Sequence, residues 1–267
     1  MHAPNAIPPA TPAALPAEFK LQGAHLGDLL LALPAIGAAL QRVPVVVTGL
    51  LPRHFVALRG LPVTFRHSTE GRAHTLHPRF SPGIHRTEAW LNALGPDTQA
   101  VRVPIPVQGL PEARNLLPHA RWALLSTSAD HPSKCWPMTR WVEVAEALQT
   151  RGYQVALIGP AKARVAEAIQ WPSGVHDLRG MDTPLTWPAL LTRAALVVSL
   201  DTGCLHMADA LGIPVVGLYS VANPAEYGPF WQRDACVHAP TMDAIHADQV
   251  LALVDSHSAT RNPQITP

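Results

Sequence analysis

One stretch constrains the fold of this chain more than any other: Leu196–Phe230, LVVSLDTGCLHMADALGIPVVGLYSVANPAEYGPF. An apolar run enters Ser199, a polar turn Asp201-Thr202-Gly203 follows, and apolar residues recur at Leu205, Ala208 and Leu211 before Gly212 and Pro214. That order predicts a buried strand, a tight turn and a short helix stopped by glycine. A second apolar run, Pro214–Tyr219, predicts the next strand, so the unit is β-turn-α-β. Such a turn lies at the carboxyl end of its strand, where open α/β sheets bind ligands. The first helical amides, at Gly203, Cys204 and Leu205, lack intrahelical partners and make an anion site. His206 sits on the first turn, facing the same cleft. Read chemically, the stretch holds a nucleotide diphosphate; read structurally, Asp201 or Thr202 caps a helix.

The longer string S-x-D-T-G-x-x-H-x-A-x-A-L-G-x-P-V-V-x-L resembles the signature of glycosyltransferase family nine, the ADP-heptose:lipopolysaccharide heptosyltransferases and their relatives. The resemblance implies an α/β, GT-B-like fold: two facing Rossmann-like domains with parallel sheets. It also implies that Asp201, Thr202, Gly203 and His206 bind the donor.

The amino-terminal half has the matching rhythm. Strands are predicted at Phe19–Gly23, Pro44–Thr48 and Pro62–Phe65. Helices are predicted after Gly27-Asp28, where Pro34 should kink the helix or divide it, and at Leu51–Leu58. This β-α-β-α-β opening starts a parallel sheet. The turn G-A-H-L-G-D is not a dinucleotide fingerprint, because G-x-G-x-x-G is missing. Asp28 is either a helix cap or a carboxylate at the mouth of the first strand. G-D-L-L-L-A-L-P-A-I resembles the family's G-D-hydrophobic-P segment, and the resemblance implies that Asp28 is the general base. Arg66–Pro82 reads as a polar surface loop, whose histidines lack metal-site spacing. His85–Leu94 predicts an amphipathic helix. Family members place more strand–helix units before that helix, so the amino-terminal domain is expected to be shortened.

Val101–Pro111 reads as an extended linker. Beyond it, strands are predicted at Trp122–Thr127, Tyr153–Ile158 and Val175–Leu178. Helices are predicted at Met138–Arg151, Ala161–Gln170, Thr186–Arg193 and from Asp243 onward. The expected organisation is a disordered leader at 1–17, an acceptor-side domain at 18–110, a nucleotide-sugar domain at 111–255 and a tail at 256–267. The loop STSADHPSKCWP carries Lys134 in a chain with few lysines. As the lysine of K-x-W-P it resembles the family's phosphate-contacting lysine, with Ser126, Thr127 and Ser128 as further donor-binding candidates. Trp136 and Trp141 read as core.

Together the segments imply an inverting, metal-independent transfer. A nucleotide-sugar, ADP-heptose first, is held by the second domain, and Asp28 deprotonates the acceptor hydroxyl. Departures from the pattern are Ser220–Pro224 in place of G-P-T-[DS]-P, and a Gly180–Leu200 segment without glutamate, where Asp182 is the sole carboxylate. The alternatives are a non-catalytic nucleotide-sugar-binding module and a GT-B-like epimerase.

Composition narrows the partners. With a net charge of +1 and 15% charged residues, there is no basic field for nucleic acid. The three cysteines are irregularly spaced and suggest a reducing compartment. No apolar run is long enough to span a bilayer, and the Pro/Ala-rich start lacks a basic n-region. The expected setting is cytoplasmic, with no metal or other cofactor. The expected partners are a nucleotide-sugar donor and a glycan or lipid-linked acceptor, any membrane contact being peripheral, at the inner membrane.

Overall fold

The computed structural model describes residues 15–21, 25–49, 60, 62–66, 73–161, 163, 169–181 and 186–260, with the backbone alone at 258–260. The helix expected at Leu51–Leu58, most of that at Ala161–Gln170, most of the leader, and Lys162 and Asp182 lie outside these residues.

Two separate sheets organise the molecule. Strands β1 (Ala17–Lys20), β2 (Val45–Thr48), β3 (Thr64–Arg66) and β4 (His74–Thr75) form the smaller, in the order β3-β2-β1-β4. Strands β5 (Trp122–Ser126), β6 (Gln154–Ile158), β7 (His176–Asp177), β8 (Ala194–Leu200), β9 (Val215–Tyr219) and β10 (Cys236–His238) form the larger, in the order β10-β9-β8-β5-β6-β7. Every pairing among the described residues is parallel. Parallel sheets are covered on both faces, which is why β2 reads VVVT and β5 reads WALLS without alternation.

The helices are α1 (Leu26–Leu40), α2 (Arg86–Leu94), α3 (Leu110–Leu116), α4 (Met138–Thr150), α5 (Trp187–Thr192), α6 (Gly203–Ala210), α7 (Pro224–Tyr227) and α8 (Ala247–Thr260). Helices α4 and α8 cover the outer face of the larger sheet, with Trp141, Val144, Leu148, Val250 and Val254 in one apolar cluster. Trp136 and Trp141 stack edge-on there at 5.1 Å, as expected of core residues. A second cluster runs from the smaller sheet through α1 to α5, α6 and the inner face of the larger sheet. The two halves therefore meet helix on helix, α1 against α6.

Several sequence expectations are corrected. Helix α1 runs unbroken through Pro34. An interior proline costs about 3 kcal/mol. Burial of Leu29, Leu30, Leu31, Leu33 and Ile36, at about 1.5–3 kcal/mol per large apolar side chain, outweighs it. The predicted linker is not loose: Val103 and Ile105 are buried, and Val101 N donates to Pro34 O at 3.1 Å. Gly37 makes room for this crossing, since a Cβ there would lie 2.5 Å from Val101 O. Helix α3 straddles the expected 110/111 boundary, with Pro111 in its first turn. The polar stretch Arg66–Pro82 contributes β4, paired with β1. The last helix continues to Thr260, past the expected start of the tail.

The halves also meet at a clasp between the start of α2 and α7. Gly83 N donates to Glu226 Oε1 at 3.0 Å, and Arg233 pairs with Glu88 at 2.9 Å. The Arg86 guanidinium bonds the Tyr227 hydroxyl and lies over its ring. His85 is wholly buried between the halves. Its Nδ1 accepts from Thr87 N at 3.1 Å, capping α2, while its Nε2 lies 3.0 Å from Gly228 O. Those two contacts define a neutral ring protonated on Nε2. Arg102 extends the clasp, donating to the carbonyls of Asp209 and Ala210 at 2.8 Å each.

Candidate active site

Strand order locates the site. From β5 the chain builds outward to β6 and β7 on one side, and through β8 to β9 and β10 on the other. The switch point lies between β5 and β8, and crevices at such points bind ligands in open α/β sheets. The smaller sheet switches between β1 and β4, so the turn leading into α1 opens toward the same space. A pocket of about 330 Å³ lies there, lined from the amino-terminal half by His25, Gly27, Asp28 and Leu31. Ala129, Asp130, His131, Lys134, Asp201, Thr202, Gly203, His206 and Tyr227 line it from the other half.

The turn after β8 is built by its own side chains. Ser199 is buried, donates its hydroxyl to Leu200 O at 2.8 Å, and lies 3.3 Å from Thr202 Oγ1. Thr202 is the N-cap residue of α6 in extended geometry but gives no side-chain cap bond, so the expected cap is not made by Thr202. Gly212, at φ +77°, ends the helix in the left-handed region that glycine tolerates. Gly217 lets α6 lie close on β9, because a Cβ there would sit 2.7 Å from Leu205 Cδ2.

Asp201 is the hub. Its Oδ2 takes the Lys134 ammonium at 2.5 Å, and its Oδ1 lies 3.8 Å from His206 Nε2. Burial, the largest influence, pushes this carboxyl up, but His206 and Lys134 together outweigh it and hold the group below the usual value. His206 is 6% exposed, and its buried Nδ1 has no hydrogen-bond partner among the described residues. Gly27 sits against its ring: a Cβ there would lie 3.3 Å from His206 Cδ2. One turn on, Asp209 is buried, which raises its carboxyl, and it accepts from Trp231 N at 3.0 Å and Gln232 Nε2 at 3.1 Å.

Asp28 faces this group from α1. Its Oδ2 accepts from His25 N at 2.8 Å, so the carboxylate does cap the helix. Capping occupies one of its two carboxylate oxygens.

Asp28, Lys134, Asp201, Thr202, Gly203 and His206 are thus brought to one pocket. Ser126, Thr127 and Ser128 are not among its lining residues. Ser126 is still paired as strand, opposite Ile158 and Ser199, and Thr127 is buried beside it. The loop swings Ala129–His131 into the pocket instead. Sequence reasoning missed Asp130, His131, His25 and Tyr227, although the first three adjoin the motifs it used. Among the described residues, no group of three or more His, Cys, Asp or Glu side chains is placed to hold a metal ion. Nor is any helix among them long and apolar enough to cross a membrane.

Two facing parallel α/β sheets, with a switch-point pocket shared between their carboxyl ends, define a GT-B-like two-domain protein, its amino-terminal portion short. Residues 95–251 match the model of glycosyltransferase family 9 (heptosyltransferase), and the chain belongs to that family. Lipopolysaccharide heptosyltransferase 3 of Escherichia coli (strain K12) is 27% identical over 172 residues, covering 54% of this chain and 50% of the relative. Lipooligosaccharide heptosyltransferase 2 of Haemophilus influenzae is 34% identical over 105 residues, covering 37% and 30%. The chain therefore spans half or less of the length of these curated relatives. In fold, it is similar to the family 9 glycosyl transferase of Veillonella parvula, with a TM-score of 0.75 at 15% identity, covering 91% of this chain and 97% of that one. The ADP-heptose lps heptosyltransferase II of E. coli gives a TM-score of 0.70 at 15% identity, covering 91% and 98%.

Proposed function

We propose that the protein is an inverting glycosyltransferase that moves a heptose or related sugar from a nucleotide diphosphate, ADP-heptose first, to a hydroxyl of a glycan acceptor in lipopolysaccharide assembly. The observation that carries this reading is the shared pocket: Asp28 of one half and the Asp201–His206 turn of the other line the same space. The named activity of the relatives supports the sugar and the pathway.

In this reading the diphosphate lies at the amino end of α6, where free amides and the helix dipole favour an anion. The Lys134 ammonium, fixed by Asp201, keeps N–H donors for a phosphate oxygen. The acceptor hydroxyl attacks the anomeric carbon from the face opposite the diphosphate. The new C–O bond forms as the bond to the diphosphate oxygen breaks, and the Asp28 carboxylate takes the hydroxyl proton. No step is assigned to a divalent metal. The protein acts in the cytoplasm, where activated sugar nucleotides and the inner-membrane face meet.

The test is calorimetric titration with ADP, UDP and GDP, followed by a transfer assay with ADP-heptose and a lipopolysaccharide-core acceptor. Selective ADP binding with turnover supports the proposal. Nucleotide binding without turnover would leave a binding module, and no nucleotide binding would remove the reading.

A further inference from the structure

One side chain at the pocket wall is held by bonds that leave its own donor unused. Tyr227 ends α7, a helix of four residues that local chemistry closes at both ends. Asn223 caps its start, the side chain accepting from Ala225 N at 3.0 Å, and Pro224 occupies the first turn. Gly228 follows Tyr227 where a Cβ would lie 2.4 Å from Pro224 O. Within the same half, Tyr219 Oη donates to Tyr227 O at 3.0 Å. From the other half, His85 Nε2 lies 3.0 Å from Gly228 O. The backbone that carries Tyr227 is therefore fixed from both halves.

The side chain is gripped by Arg86, the residue after His85. Its guanidinium donates to the Tyr227 hydroxyl, and the guanidinium carbon lies 4.5 Å from the centroid of that ring and 4.4 Å from that of Phe80. A guanidinium has only N–H donors, so in this bond the phenol oxygen is the acceptor. The phenol proton must be given elsewhere, and among the described residues no acceptor takes it. Tyr227 lines the pocket, so a molecule bound there can take it.

The same tripeptide sets which end of the pocket Tyr227 meets. Thr87 Oγ1 donates to Leu31 O at 2.6 Å. Leu31 stands three residues beyond Asp28 on α1 and lines the pocket with it. His85, Arg86 and Thr87 thus join Tyr227 and Gly228 of one half to the Asp28 end of the other. With a diphosphate at the amino end of α6, the part of a nucleotide-sugar that must reach Asp28 is the sugar. Its hydroxyl oxygens are ready acceptors for a phenol proton.

We infer that Tyr227 contacts the transferred sugar, its O–H donating to a sugar hydroxyl, and that Arg86 of the opposite half is the positioning residue that aims it. The inference rests on the nucleotide-sugar reading above. Contacts to the diphosphate then lie within the second half, whereas this sugar contact depends on the two halves being clasped.

The test is calorimetric titration of the full chain with ADP and with ADP-heptose, without acceptor, because the difference between the two isolates the sugar. Tyr227→Phe removes only the hydroxyl. It should weaken ADP-heptose binding about threefold to tenfold, the range of one neutral hydrogen bond, and leave ADP binding unchanged. Arg86→Met keeps an unbranched chain beside the rings but donates nothing, and it should give the same selective loss. Arg86→Lys retains a charged donor and should recover part of it. The double variant Tyr227→Phe, Arg86→Met should lose no more than Tyr227→Phe alone, since Arg86 acts through that hydroxyl. Equal weakening of ADP and ADP-heptose in Tyr227→Phe would place the contact on the diphosphate and overturn the inference. Full ADP-heptose affinity in that variant would overturn it too, and a raised acceptor KM would then move the hydroxyl to the acceptor. Additive losses in the double variant would overturn the positioning role of Arg86. Wild type that binds ADP but not ADP-heptose would overturn this inference alone. Failure to bind either molecule would overturn the nucleotide-sugar reading and this inference with it.

Discussion

His85 gives the clasp between the halves a pH dependence whose size follows from its burial. The ring is 0% exposed, and burial, opposed in part by the bond to Gly228 O, lowers it from 6.5 to about 4. Between those values the unfolded chain binds the extra proton and the folded chain does not, so stability rises with pH. The stabilisation is fully present above pH 6.5 and is lost as pH falls toward 4. At about 1.36 kcal/mol for each pH unit, the depression corresponds to roughly 3 kcal/mol. Structurally, a proton on Nδ1 would remove the acceptor for Thr87 N and uncap α2. The perturbation is His85→Gln, which retains polarity without titrating. Urea unfolding followed at pH 7.5 and pH 4.5 is the assay. At pH 7.5 the variant should be about 1–3 kcal/mol less stable, the cost of a broken buried hydrogen bond. At pH 4.5 the difference should largely disappear, because wild type has by then lost most of the same stabilisation. An equal deficit at both pH values would refute the assignment of a neutral, bridging His85.

Three further outcomes are expected. Lys134→Ala should weaken ADP binding by about 1–3 kcal/mol, since it also removes the cation from Asp201 Oδ2 in the proposed phosphate site. Lys134→Ala combined with Asp201→Asn should recover part of that loss by calorimetry; a double variant as weak as the single would contradict the charge argument. Gly37→Ala gains about 1 kcal/mol of helix propensity but places a Cβ 2.5 Å from Val101 O. The clash, at about 1–3 kcal/mol, should win and lower the melting temperature, whereas an unchanged or raised value would show that the crossing segment yields. Gly27→Ala should push on the His206 ring and weaken ADP binding with little loss of melting temperature, and unchanged binding would separate His206 from the donor.

The order of strands and helices was readable because parallel strands are plain apolar runs, and because glycine and proline mark their ends. The turn Asp201–Gly203 and the carboxylate Asp28 were readable for a similar reason: small polar residues between apolar segments stand at strand ends. What escaped was tertiary in origin. Strand β4 is two residues long, too short to show alternation, and only its pairing with β1 makes it a strand. Helix α3 hides behind Pro111, which reads as a linker but is tolerated in a first helical turn. The Lys134–Asp201 pair and the His85–Gly228 bond join residues 67 and 143 positions apart, beyond the reach of any local pattern. The serine and threonine hydroxyls at the end of β5 and just beyond it read as donor-binding candidates because they precede Lys134. Strand pairing carries that segment into the sheet first, and Ala129–His131 take the position.

The central claim is that Asp28 is the base, and turnover of Asp28→Asn measures it most directly. Asparagine keeps an oxygen for the His25 amide, now 2.8 Å from Asp28 Oδ2, so folding and donor binding should stay near wild type. The proton acceptor is gone, and turnover with ADP-heptose should fall on the order of 10²–10⁴-fold. An Asp28→Asn protein that transfers sugar at close to the wild-type rate would contradict the account, leaving Asp28 as a helix cap alone.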